Sequence, residues 1–160
     1  MNNSIFTESN QRFKVSIPDQ ILNKVKELCE SSFPNETGGI LIGNYSEELK
    51  CANVSEIIVA PSDSKSGPTW FLRGTSGVKK KLDRLWFDKK YYIGEWHYHP
   101  DCSSNLSSQD IKQMINISNN ENYKCPEPIL LIVGGKTNLW EYSTYVFPKG
   151  KAFVHLDTIK

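Results

Sequence analysis

The stretch GEWHYHPDCSSNLSSQD, residues 94–110, decides the fold around it because a strand pattern changes there into a helix pattern. The run YYIGEWHYHP predicts a strand over 91–98. Pro100 ends this strand, because proline has no N–H group for the ladder, and the polar residues after it let the chain turn back. A helix is predicted over 107–118, with these apolar residues on one side: Ile111, Met114 and Ile115.

Two histidines share one face of the predicted strand. Successive side chains of a strand point to opposite faces, so His97 and His99 lie together, about 6 to 7 Å apart at Cα. Trp96 and Tyr98 point the other way, toward a core. Asp110, in the first turn of the following helix, can face the histidines. Zinc enzymes typically use three His or carboxylate ligands plus water, so His97, His99 and Asp110 are candidate metal ligands.

A water molecule activated by a metal also needs a carboxylate that takes its proton. Glu36 precedes the strand-like run GGILIG, and Glu95 shares the face of His97. Glu95 lies one step beyond His97 and away from His99, which suits it to holding a ligand in place rather than to accepting the proton. Since 60 residues lie between Glu36 and His97, spacing alone leaves the choice of base open.

Each of these features is also compatible with a purely structural role. Ser107 and Asp110 match a capping box, in which a hydroxyl and a carboxylate satisfy free amides of a new helix. The two histidines could be ordinary half-buried residues of a strand. Glu36 could cap a turn before the glycines. Cys102 is compatible with a rival soft ligand, a redox switch or an incidental loop thiol.

Composition limits the partners. Lys and Arg number 19 against 18 Asp and Glu, a formal charge of +1, which predicts neither a nucleic-acid nor a membrane partner. No segment reaches the ~20 apolar residues of a membrane helix, and the N-terminus lacks the pattern of a signal peptide. The four cysteines are widely spaced and form no C-x-x-C pair. We therefore expect a cytoplasmic protein.

The order of predicted elements favours an α+β fold over a regular parallel α/β fold. Residues 1–12 are predicted to be a loose or edge-pairing tail, and 13–160 a single domain. Residues 61–69 are predicted to be a loop, and WFLRG, 70–74, a short strand or loop edge. The helices are predicted over 18–32, 76–89 and 107–118, and the strands over 13–17, 38–45, 51–61, 91–98, 128–135, 140–147 and 152–156.

Five positions together resemble a known signature. Glu36 in ETGGILIG, then His97-x-His99, seven residues, and Ser107-x-x-Asp110 resemble the JAMM signature of the JAB/MPN zinc metalloproteases. The resemblance covers residues 13–155. It implies a curved mixed β-sheet flanked by helices, in a cytidine-deaminase-like layout. The implied activity is hydrolysis of peptide or isopeptide bonds after the C-terminal tail of ubiquitin or a ubiquitin-like protein.

The resemblance also implies roles for the site residues. His97, His99 and Asp110 would bind one zinc ion, Glu36 would be general base and acid, and Ser107 would help to stabilise the oxyanion. The loop between the ligands departs from many members by containing Cys102 and lacking a second proline. The chain also lacks the long insertions with which eukaryotic members grip ubiquitin, so the resemblance leaves selectivity open.

The short build, EWHYHP and WFLRG look like the prokaryotic JAB proteases of CBASS and related antiphage operons, which resemble deubiquitinases that release a partner enzyme from its conjugates. A protease that trims a sulfur-carrier protein to its Gly-Gly end, and a non-catalytic MPN scaffold, remain alternatives. An extended tail is most simply held as an added strand on a sheet edge. Residues 61–75, with Phe71 and Arg73, are the predicted contact. The substrate, operon and oligomeric state stay open.

Overall fold

A computed structural model of the chain describes residues 2–46 and 48–159, so Met1, Glu47 and Lys160 lie outside the described residues. The helices are α1 (Asp19–Ser32), α2 (Val78–Phe87) and α3 (Ser108–Asn119). The strands are β1 (Asn3–Thr7), β2 (Lys14–Pro18), β3 (Thr37–Ser46), β4 (Cys51–Val59), β5 (Lys65–Gly67), β6 (Trp70–Leu72), β7 (Tyr91–Pro100), β8 (Ile129–Lys136), β9 (Leu139–Val146) and β10 (Val154–Ile159).

Eight of these strands form a closed barrel in the order β1-β10-β9-β8-β7-β3-β4-β2. The pairs β2–β4 and β7–β8 are parallel and the other neighbours antiparallel, so the expected mixed sheet with helices is present. The expectation of a curved sheet is only roughly met, because the curvature continues to closure. Closure satisfies the ladder groups that an open sheet would expose at its two edges.

The barrel closes through a segment that the sequence predicted to be a tail. β1 pairs with β10 on one side and with β2 on the other, so residues 3–7 are not an edge. Phe6 is 2% exposed and belongs to the main apolar core. Five residues with a single large buried side chain give too short a pattern for alternation to be recognised.

The barrel wall separates two apolar cores. Side chains on one face pack with α1, and side chains on the other face pack with α2 and α3. In β8, Leu131 belongs to the first core and the adjacent Leu130 to the second. A strand buried on both faces has an almost continuous apolar sequence, which explains PILLIV.

Several strand boundaries differ from the predictions, and two of these differences lie near the site. β7 extends to Pro100, two residues past its predicted end, and pairs with Gly135 of β8. The missing N–H of Pro100 costs no ladder bond on the β3 side, because the pairing with β3 ends at Tyr98, opposite Thr37. Part of the predicted loop 61–69 is strand, since β5 pairs with β6 in a separate two-stranded sheet. Three-residue strands leave little periodic signal.

No helix among the described residues is long and apolar enough to cross a membrane.

Candidate functional site

The candidate site lies where β3 begins and β7 ends. These strands are antiparallel, with Thr37 opposite Tyr98 and Gly38 opposite His97. Glu36, the residue before β3, therefore lies at the same end of the barrel as the two histidines. The pairing register of β3 with β7 therefore explains how Glu36 comes near the histidines, which the spacing in the sequence could not show.

Gly38 allows close packing at this point. A Cβ atom added there would lie 2.5 Å from the Trp96 carbonyl oxygen, 2.7 Å from Cε1 of Phe71 and 2.9 Å from Cδ2 of His97. These distances are below normal carbon contacts, so a larger residue would displace the imidazole or the backbone. The first glycine of the GG sequence that precedes ILIG thus has a role in the site.

The three predicted metal ligands lie together, with both histidines against the carboxylate of Asp110. His97 Nδ1 lies 2.9 Å from Asp110 Oδ1, and His99 Nε2 lies 3.2 Å from Asp110 Oδ2. All three residues are buried, with exposures of 3%, 8% and 5% for His97, His99 and Asp110. The strand–turn–helix segment therefore brings together the residues that it was predicted to bring together.

These groups share one electrostatic environment with Glu36. Burial opposes ionisation of Asp110, but hydrogen bonds from His97 and His99 hold the pKa of its carboxyl well below the usual range. Burial alone would lower the pKa of His99, yet the hydrogen bond and charge of Asp110, with the charge of Glu36, raise it. Burial raises the pKa of Glu36, and Asp110 adds to this while His99 and His97 act against it.

Ser107 caps α3, so its predicted structural role is confirmed. Its Oγ accepts a hydrogen bond of 3.0 Å from the Asp110 amide, and Asp110 Oδ2 accepts one of 2.9 Å from the Ser107 amide. The same carboxylate contacts both histidines. The capping box therefore fixes the orientation of Asp110 toward them, and Ser107 itself remains exposed at the surface.

The donor set fits zinc by chemical type. Two imidazoles and a carboxylate are ligands that zinc enzymes use, and His97 Nε2 is a buried nitrogen without a hydrogen-bond partner among the described residues. The three side chains lie closer together than the ligands of a metal ion do, since Asp110 directly contacts both imidazole rings. Within residues 2–46 and 48–159, no group of three or more His, Cys, Asp and Glu side chains has the arrangement of a metal site.

Glu95 and Arg73 form a buried ion pair. Arg73 Nε donates to Glu95 Oε1 at 2.5 Å, and the Tyr92 hydroxyl donates to Glu95 Oε2 at 2.6 Å. Glu95 is fully buried and Arg73 is 8% exposed. The Glu95 carboxylate, which was predicted to hold a ligand in place, bonds to Arg73 and Tyr92. The Arg73 guanidinium points into the protein, which does not favour the predicted contact with a substrate tail.

Phe71 also points inward. It is 5% exposed, and its ring meets the His97 imidazole edge to face with 5.7 Å between centroids. Phe71 was predicted to contact a substrate tail, whereas the contact observed is with the histidine. Its neighbours in β6, Trp70 and Leu72, are 42% and 56% exposed.

Sequence reasoning missed how the loop after His99 is held. Ser104 is buried, its amide donates to Glu141 Oε2 at 2.6 Å, and its hydroxyl lies 2.6 Å from that of Ser143. A Cβ at Gly134 would lie 2.5 Å from the Cys102 carbonyl oxygen, so the loop crosses β8 directly over this glycine. The second GG, in PILLIVGG, was the available signal, because glycine within a strand often marks close backbone approach.

Comparisons with known proteins give a family profile, a relative and a solved structure that match this chain. The sequence profile of a family described as prokaryotic homologs of the JAB domain matches residues 18–144. A protein of Enterobacter hormaechei subsp. hoffmannii (strain UCI 50) named CD-NTase/cGAS isopeptidase is 36% identical over 152 residues, 94% of this chain and 84% of the relative. A solution structure of a Desulfitobacterium hafniense protein is similar in fold, with a TM-score of 0.63 and 14% identity over 88% of this chain and 86% of that one.

Proposed function

Because this chain belongs to the family of prokaryotic homologs of the JAB domain, we propose that it is a zinc-dependent isopeptidase or peptidase. It hydrolyses the bond after the C-terminal tail of a ubiquitin-like protein or within a conjugate of a partner enzyme. The observation that carries this proposal is the convergence of Glu36 with His97, His99 and Asp110 at one end of the barrel. Those are the residue types that metal-assisted hydrolysis needs.

His97, His99 and Asp110 would hold the zinc ion. When bound, zinc supplies Lewis acidity for the scissile carbonyl and acidifies a water molecule. Glu36 takes the proton of the attacking water and passes it to the leaving amine. Its position at the start of β3, in the charge field of the other three groups, supports this role.

Ser107 stabilises the oxyanion in this proposal. Its Oγ accepts a hydrogen bond from the Asp110 amide, which leaves its own O–H free to donate. A donor already fixed in place by a helix cap costs no reorganisation when negative charge develops on the substrate oxygen. The exposure of Ser107 leaves it accessible to a substrate.

The substrate tail enters beside the β5–β6 hairpin. The Glu36 amide donates to the Gly67 carbonyl at 2.9 Å, which holds β5 against the start of β3. Among the described strands β6 pairs with β5 alone, so its outer edge has ladder groups for an added strand. Since Phe71 and Arg73 face inward, the tail contacts the β6 backbone and the exposed side chains of Trp70 and Leu72.

The name of the Enterobacter relative supports a conjugated CD-NTase-type enzyme as substrate. We propose that the protein acts in the cytoplasm and is encoded in an antiphage operon. Trimming of a sulfur-carrier protein would use the same residues, so a panel of tail sequences separates it from deconjugation. A non-catalytic scaffold is separated by metal content, because it would bind no stoichiometric zinc.

The test is cleavage of a fusion that carries a ubiquitin-like tail. We expect cleavage by the wild type, loss of cleavage on chelation, and loss in Glu36→Ala while one zinc ion per chain stays bound. Glu27→Ala, at an exposed position of α1, is the matched control and should cleave as the wild type does. Cleavage that survives both Glu36→Ala and chelation would contradict the proposal.

A further inference from the structure

We propose that Arg73 is a positioning residue: it locks the β5–β6 hairpin to β7 and thereby holds Phe71 against the His97 imidazole. This inference rests on the proposed function for its effect on catalysis, but the positioning itself is a property of the folded chain. In this role Arg73 does not contact the substrate, and Glu95 does not accept a proton in the reaction.

Arg73 bonds to two other parts of the protein and to the next residue of its own loop. Its Nε donates to Glu95 Oε1 at 2.5 Å, its Nη2 to the Tyr123 hydroxyl at 2.7 Å and its Nη1 to the Gly74 carbonyl at 2.9 Å. The side chain is 4% exposed and that of Glu95 is 0% exposed. A planar guanidinium satisfies three acceptors at once in only one orientation, so these bonds fix the end of the hairpin in direction as well as in place.

The segment that carries the hairpin is closed at its base. The Asp63 carboxylate accepts hydrogen bonds from the amides of Thr75 and Ser76, at 3.0 and 2.9 Å. Ser64 Oγ accepts a bond of 2.9 Å from the Gly74 amide. Residues 63–76 therefore form a loop that is closed at its base. Among the described residues the loop is bonded to the barrel through the backbone bond from Glu36 to Gly67 and through the ion pair of Arg73 with Glu95.

The fixed arginine sets the position of Phe71. Arg73 and Phe71 are two residues apart, as are Glu95 and His97 on β7, so each pair shares one face of extended chain. The two segments meet in two successive contacts, Arg73 with Glu95 and Phe71 with His97. Any displacement of the first contact moves the second. Phe71 also lies over Gly38, two residues after Glu36, so the displacement would reach the end of β3 that follows the proposed base.

An ion pair suits positioning better than an apolar contact of the same size. Replacing a buried ion pair by well-packed apolar residues is often neutral for stability, and in some proteins a buried polar group instead serves to fix one conformation. If Arg73 only stabilises the fold, its replacement should lower Tm and leave the His97 ring where it is. If Arg73 positions the hairpin, its replacement should move the His97 ring even when Tm is unchanged.

The experiment uses two variants of the full chain. Arg73→Lys keeps a positive charge beside Glu95 but replaces the rigid fork by a single flexible ammonium. Arg73→Met combined with Glu95→Leu removes both charges together. The matched control removes an exposed ion pair of α2, by Lys79→Met with Asp83→Leu. The Lys variant decides the question by itself if the double variant does not fold.

Three readouts are compared. The chain has 3 histidines, so the ring resonances of His97, His99 and His155 can be followed in a proton–carbon NMR spectrum of the metal-free protein. Hydrogen exchange reports the opening of residues 63–76. Thermal unfolding and single-turnover cleavage of the tail fusion complete the set.

We expect Arg73→Lys to shift the His97 ring resonances, to leave those of His155 unchanged, and to speed amide exchange in 63–76 with little change in Tm. Cleavage should fall about 10- to 100-fold, the usual effect of losing a group that orients a metal ligand. His97 resonances and hairpin exchange that match the wild type in Arg73→Lys would overturn the proposal. A wild type that cleaves nothing would sink the proposed function alone, since the NMR and exchange results do not depend on cleavage.

Discussion

Ser107 shows how one side chain serves both the fold and the proposed chemistry. It caps α3 through the Asp110 amide, and its free O–H is the proposed oxyanion donor. Ser107→Ala should lose about 1 kcal/mol of stability with the cap, whereas Ser107→Gly should lose only a few tenths of a kcal/mol. Both should lower the cleavage rate about 10²- to 10³-fold, because both lack the hydroxyl.

Chemical unfolding and single-turnover kinetics of the two Ser107 variants check this prediction. The glycine variant is the critical one, because it separates capping from catalysis. A Ser107→Gly protein that cleaves at the wild-type rate would assign Ser107 to capping only.

The cysteines differ in accessibility in a way that a thiol reagent can measure. Cys102 is exposed, while Cys29, Cys51 and Cys125 are buried, with 0%, 4% and 4% exposure. Burial also raises the pKa of the Cys29 and Cys125 thiols, which disfavours the reactive thiolate. We expect one fast equivalent of Ellman's reagent in the native protein and four after denaturation. Cys102→Ser should remove the fast phase, and a fast phase that persists in this variant would contradict the assignment.

At the scale of elements, the β6 edge is the proposed track for the substrate tail. Leu72 lies on this edge and is 56% exposed, so it contributes little to the core. Leu72→Glu should raise KM for a tail-bearing substrate with little change in kcat or Tm, since it removes apolar contact with the tail but leaves the site intact. Leu139→Glu, at an exposed leucine of β9, is the matched control. Steady-state kinetics with an unchanged KM for Leu72→Glu would place the tail elsewhere.

The sequence predicts long elements better than short ones. The helix predicted over 18–32 matches α1 to within one residue, because a 14-residue helix repeats its apolar stripe several times, here with Leu22, Val25 and Cys29 buried. β5 and β6, with three residues each, repeat nothing and were assigned partly to a loop. The inward direction of Arg73 was missed for a related reason: its partner Glu95 is 22 residues away in sequence and no local pattern links them.

At the scale of the whole molecule, closure of the barrel depends on β1. Phe6 is its buried anchor, and its replacement leaves a cavity in the core shared with α1. Phe6→Ala should therefore cost about 3 to 5 kcal/mol of unfolding free energy. Ser4→Ala, a polar change in the same strand, should cost far less. Denaturant unfolding with a loss below about 1 kcal/mol for Phe6→Ala would mean that residues 3–7 behave as the tail that the sequence suggested.

The site and the closure differ in how far the sequence could predict them. One strand–turn–helix segment contains His97, His99, Ser107 and Asp110. Their residue types and local spacing were therefore enough to predict that they lie together. The approach of Glu36 depends on the β3–β7 register, which is set by packing across the whole sheet. Only the resemblance to a family suggested it in advance. Closure by β1 depends on both of its neighbours and had no local signature.

The most direct test of the central claim is a mass measurement on an isopeptide-linked conjugate of a ubiquitin-like protein and a target protein, incubated with the zinc-loaded chain. We expect two products, the intact ubiquitin-like protein with a free C-terminal carboxyl and the target with an unmodified lysine. Glu36→Gln, with zinc bound, should yield neither. An intact conjugate after incubation with the zinc-loaded wild type, or equal cleavage by Glu36→Gln, would contradict the account.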